Sequence, residues 1–101
     1  MLVVELPNNF YDSPEVLQAG TLAVGYFIKA LSYSVTHKTD GFLDIRMLEI
    51  IGQDLHEYTG SDDLDKVLRP LIIAGLLENC ENGWKVPENK RYWYDDKREL
   101  S

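Results

Sequence analysis

A small, mostly helical α+β domain is what the sequence predicts, and three observations predict it. The chain has 101 residues, close to the commonest size for one domain. Its 45% hydrophobic and 27% charged residues are the proportions of a globular protein with a core. Helical signals dominate residues 14–75, and the extended runs gather around an Asn82-Gly83 dipeptide near the end. This composition excludes a disordered tail, a coiled coil and a collagen-like chain. No apolar run approaches the roughly 18–20 residues that a bilayer helix needs. The opening Met1-Leu2-Val3-Val4-Glu5-Leu6 lacks the basic leader and long apolar stretch of a secretory signal. The single cysteine, Cys80, cannot form an internal disulfide, which fits a reducing cytoplasm.

The elements follow in order. Pro7, Asn8 and Asn9 break the apolar opening, and Asp12-Ser13-Pro14 reads as a helix start with proline in the first turn. A short helix from Pro14 to Ala19 ends at Gly20. From Thr21 to about Thr36 a longer helix is predicted. Its small or polar positions (Thr21, Gly25, Lys29, Ser32 and Thr36) step by three or four, and most of the rest is apolar or aromatic. A helix apolar around most of its circumference is contacted on several sides, so this one is central. Lys38 and His37 suit its C-terminal dipole, and Asp40-Gly41 turns the chain. After a short strand at Gly41-Phe42-Leu43, Asp44 caps a second helix carrying Ile45, Leu48 and Ile51 and closed by Gly52. Residues 53–60 read equally as a helical turn or a loop.

Ser61 is suited to cap a third helix whose Leu64, Val67, Leu68, Leu71 and Ile72 form a buried stripe. Pro70 removes one backbone donor inside it, which predicts a kink or a restart. Leu76-Leu77-Glu78 and Trp84-Lys85-Val86 then flank the hairpin turn. The whole chain reads as one domain, with its core over about 10–87 and a polar C-terminal tail over 88–101. Helix, short strand, helix, helix, strand, turn, strand is the order of a winged-helix domain. Its three main helices place the third in the recognition position, and the C-terminal β-hairpin is the wing.

Local motifs add to that order. Asn9-Phe10-Tyr11-Asp12-Ser13-Pro14-Glu15-Val16 with Ala19-Gly20 resembles the opening of a group of phage and prophage winged-helix proteins. His37-Lys38-Thr39-Asp40-Gly41-Phe42-Leu43 resembles their strand entry, and Ala74-Gly75-Leu76-Leu77-Glu78 with Gly83-Trp84-Lys85-Val86 resembles their wing. Over roughly residues 5–95 the chain is similar to the N-terminal domain of phage replication-initiation (replisome-organiser, DnaD-like) proteins. That resemblance implies a role in DNA replication or regulation on a mobile element.

Charge bears directly on such a role. Ten Lys and Arg against 17 Asp and Glu leave a formal charge of −7, which repels a phosphate backbone unless cations gather on one face. The candidate DNA contacts are Lys66 and Arg69 on the third helix, Lys85 on the wing, and Lys90 and Arg91 after it, with Lys97 and Arg98 further along the tail. Two groups are candidates for a protein interface: the acidic Asp62, Asp63 and Asp65, and the aromatic run Tyr92-Trp93-Tyr94. Three consecutive aromatics cannot all face one core, so at least one is expected to remain partly exposed.

Two functions are therefore expected. One is a DNA-associated accessory protein of replication or regulation that binds duplex DNA weakly alone or within an assembly. The other is an acidic adaptor that binds a replication or host protein instead. A second copy of the chain is a further candidate partner, through the N-terminal strand or the tail, and no membrane partner is expected. Catalysis has little support. His37 and His56 lie 19 positions apart outside any metal-spacing motif, and one cysteine cannot complete a zinc site. No glycine-rich phosphate loop is present. No catalytic residue, metal or cofactor is expected.

Overall fold

The computed structural model describes residues 1–96. Helix α1 (Pro14–Ala19) begins with proline at its first position and is ended by Gly20, whose φ of 87° lies in the region glycine reaches without strain. Helix α2 (Thr21–His37) follows at once and stops at Lys38 in a left-handed conformation. Its Ala23, Tyr26, Phe27, Ala30, Leu31 and Ser34 are buried, and it touches α1, α3 (Ile45–Ile51) and α5 (Asp65–Ile73). The predicted central helix is thus central. Asp44 caps α3 as expected, its carboxylate accepting the Met47 N–H at 2.9 Å.

Residues 53–60 contain a short helix, α4 (Leu55–Thr59), closed by Gly60. The third predicted helix starts later than its Ser61 cap implies, because two local bonds occupy the entry. Ser61 Oγ accepts the Asp63 N–H at 3.0 Å, and the Asp63 carboxylate accepts the Asp65 N–H at 3.0 Å. Helix α5 then runs through Pro70 without a restart. Its buried Val67, Leu68 and Leu71 anchor it to α2 on both sides of the lost hydrogen bond.

Strand β2 (Phe42–Leu43) is joined by β3 (Glu78–Cys80) and β4 (Gly83–Lys85) in the antiparallel order β2-β4-β3. This sheet, with α5 leading into its hairpin, gives the small α+β domain a winged-helix-like layout. The hairpin turn lies one residue earlier than Asn82-Gly83 suggests. Cys80 pairs with Gly83, so Glu81 and Asn82 form the loop and Asn82 takes the positive φ of 68°. Gly83 answers a different need: a Cβ there would stand 2.6 Å from the Leu43 carbonyl oxygen, so only glycine lets β4 approach β2 this closely.

The segment read as a polar tail is partly structural. Strand β5 (Trp93–Asp95) pairs antiparallel with β1 (Leu2–Val4), forming a second, two-stranded sheet. Glu5 N–H donates to the Tyr92 carbonyl at 2.8 Å and extends the ladder. Val4, Tyr92 and Trp93 pack against the core cluster, so the apolar contacts reach beyond the expected 10–87. Alternation explains the miss. Tyr92, set among charges in sequence, turns inward and meets Phe10 and Phe27 edge-on at ring separations of 5.5 and 6.3 Å.

A candidate interaction surface

The candidate DNA contacts are mostly occupied by the chain's own carboxylates. On α5, Arg69 holds Asp65 one turn back at 2.9 Å, and this contact raises the arginine pKa further. On the wing, Lys85 Nζ lies 3.4 Å from Glu78 across the hairpin. Lys90 reaches Glu15 on α1 at 3.3 Å and is only 22% exposed. Arg91 is still more enclosed, 17% exposed. Its Nε donates to the Val86 carbonyl at 2.9 Å, and its guanidinium donates to Asp40 at 3.3 Å. Gly41 makes room for that guanidinium, since a Cβ would stand 2.8 Å from Nε. Arg91 therefore ties the Asp40-Gly41 turn to Val86, just past β4. Among the described residues Lys66 alone of the five is exposed and without such a partner. Lys97 and Arg98 lie outside the described residues.

The five cations do not form a positive face. Each of the two regions that carries them, α5 with its entry and the wing with its flanks, holds at least as many carboxylates as cations. Exposed pairs of this kind are weak, at most about 1 kcal/mol, so they can be broken. What matters for a phosphate is that breaking one leaves the carboxylate beside it.

The two protein-interface candidates fare differently. Asp62 and Asp63 are exposed at the entry to α5, and Asp62 lies 3.6 Å from His56 Nδ1 on α4. The aromatic run does not form an open patch. Tyr92 is packed inward, Trp93 is half-buried 6.0 Å from the Arg91 guanidinium carbon, and Tyr94 alone is exposed, at 40%.

An apolar surface that the sequence reading did not single out lies elsewhere, around the first half of α2. Tyr11 is 76% exposed, Leu17 65%, Leu22 45% and Tyr58 72%. Two grooves run there. One, of about 360 Å³, lies between α2 and α4 and is lined by Leu22, Tyr26, Leu55, Tyr58 and Val67. The other, of about 410 Å³, lies between α2 and α1 and is lined by Phe10, Tyr11, Val16, Leu17 and Val24. Thr21 and Gly25 line both, so they form a low ridge between the grooves. Lys29, the cation lining the first groove, is held by Asp54 at 2.8 Å, which keeps the Asp54 carboxyl below its ordinary pKa. The signal available in sequence was Gly25 itself, a glycine inside a helix, where it costs stability relative to alanine.

Compared with known proteins, this chain matches no family model, no curated protein and no solved structure. Among the described residues no group of three or more His, Cys, Asp or Glu is arranged to hold a metal ion. No helix among them is long and apolar enough to cross a membrane.

Proposed function

We propose that this chain is a non-enzymatic protein-interaction module on a winged-helix layout, binding another protein rather than duplex DNA. The observation that carries the proposal is the pairing of Arg69, Lys85, Lys90 and Arg91 with Asp65, Glu78, Glu15 and Asp40. A DNA-reading winged helix needs donors free to face phosphates. Here four of the five candidate donors have a carboxylate of the chain beside them, under a formal charge of −7. The sequence resemblance supplies the setting: a replication or regulatory assembly of a phage or mobile element, in the cytoplasm, where an unpaired Cys80 stays reduced.

The alternative is the accessory DNA-associated role. The β2-β4-β3 sheet and the position of α5 favour it, since that layout presents a helix and a wing to a duplex. Fluorescence anisotropy of labelled random and origin-like duplexes separates the two. The proposal expects a flat titration at low salt, where electrostatic binding is strongest. Micromolar binding that weakens steeply with salt is the outcome of the alternative.

A further inference from the structure

We infer that the face of α2 around Gly25 docks a basic amphipathic helix of a partner protein. The inference rests on the protein-binding reading above and names the surface and the chemistry of its occupant. Three observations converge on it.

The first is exposed apolar area without an internal use. Tyr11, Leu17, Leu22 and Tyr58 bring large side chains to solvent around two adjoining grooves. Contiguous apolar surface of this kind marks interaction sites, whereas scattered exposed residues do not.

The second is Gly25. A glycine inside a helix costs about 0.5–1 kcal/mol relative to alanine. That cost is offset where a neighbouring group needs the space, as at Gly83 against β2. At Gly25 a Cβ would meet nothing within 4 Å, and the backbone there is ordinary helix. The fold has no need of this glycine, and it lies on the ridge between the grooves. A helix crossing α2 there can approach the backbone closely and drop side chains spaced three and four apart to either side.

The third is charge. The lining is neutral, with Lys29 and Asp54 joined. Around it Asp12 follows Tyr11, Glu57 precedes Tyr58, and Asp62 lies beside His56, against one free cation, Lys66, before Val67. An acidic rim on an acidic chain attracts Lys and Arg at the flanks of an apolar stripe. It also opposes a second copy of this chain, which would bring the same charge to the same face.

The test is selection of a display library of helix-forming peptides about 20 residues long, enough for ~30 Å of helix, against the whole protein. Enriched peptides are expected to carry an apolar stripe and net positive charge. A resynthesised peptide should lose affinity at least about tenfold against Gly25→Gln and against Leu22→Asp. Gly25→Gln improves helix propensity, so its thermal midpoint should equal or exceed the parent's, and lost binding cannot then be put down to unfolding. Enrichment without a positive bias, peptides indifferent to both variants, or no enrichment at all would overturn the inference. Sedimentation showing a dimer abolished by Gly25→Gln would also overturn it, assigning the face to a second copy. Salt-dependent duplex binding by the same preparation would instead defeat the protein-binding reading beneath it.

Discussion

The wing side and the α1–α2–α4 side of this molecule use their side chains in opposite ways. On the wing side, long charged residues turn back onto the chain. Arg91 spans the Asp40-Gly41 turn and Val86, Lys90 reaches α1, and Tyr92 enters the core. Around the first half of α2, Leu17, Leu22 and Tyr58 are exposed to solvent, and a glycine stands where an alanine would fit. Groups satisfied internally stabilise the fold, while groups left open are what a partner can use. Residue type alone would have assigned these roles the other way round, with cations as contacts and aliphatics as core.

The largest expected effect tests the satisfied side. Tyr92→Ala removes the edge-on contacts with Phe10 and Phe27 and should destabilise by about 2–4 kcal/mol in urea unfolding. A loss below about 0.5 kcal/mol would mean that the tail does not help build this domain. Ser34→Ala comes next. The Ser34 hydroxyl is buried, accepts the Gly41 N–H at 2.7 Å and bonds to the Thr39 hydroxyl at 2.7 Å. Its loss strands a buried donor in the turn that seats Arg91, for about 1–3 kcal/mol.

On the open side the sign reverses. Gly25→Ala should raise stability by about 0.5–1 kcal/mol. A decrease would show that Gly25 serves the fold after all, removing the sharpest contrast between the two sides.

Titration gives a gentler probe. Hydrogen bonding from the backbone and then from Lys90 lowers the Glu15 pKa, and a hydrogen bond from Lys29 lowers that of Asp54. Carboxyls lowered on folding lend stability that is present above their unfolded values and lost as pH falls through the folded ones. A modest fall in thermal midpoint is therefore expected below about pH 4.5, the ordinary value for Glu15. Lys90→Met should flatten the Glu15 part of that limb. Tyr26 provides an alkaline limb. Burial raises its pKa, and its hydroxyl donates to the Leu48 carbonyl at 2.8 Å. Stability should therefore decline as pH rises past 10, the ordinary tyrosine value, and Tyr26→Phe should remove that decline.

Much of the fold was legible in the sequence, for identifiable reasons. The Asp44 cap, the Gly20 stop and the α5 stripe are local chemistry, and each acts where the residues imply. The start of α5 was misplaced because Ser61 and Asp63 each bond two residues ahead, a competition that a cap rule does not weigh. Strand β5 was missed because its partner β1 lies at the far end of the chain, and pairing at that separation leaves no local signature. The site was the least legible part. Whether a lysine is free depends on a carboxylate brought near by the fold, as Glu15 is to Lys90. An exposed leucine reads the same as a buried one until its neighbours are known.

The most direct test of this division is an amide NMR titration of the whole protein with a short duplex at low salt. The account expects the signals of Arg69, Lys85, Lys90 and Arg91 to stay in place, while the selected basic peptide moves those of Leu17, Leu22, Gly25 and Tyr58. Shifts along α5 and the wing that grow with duplex and vanish with salt would contradict it.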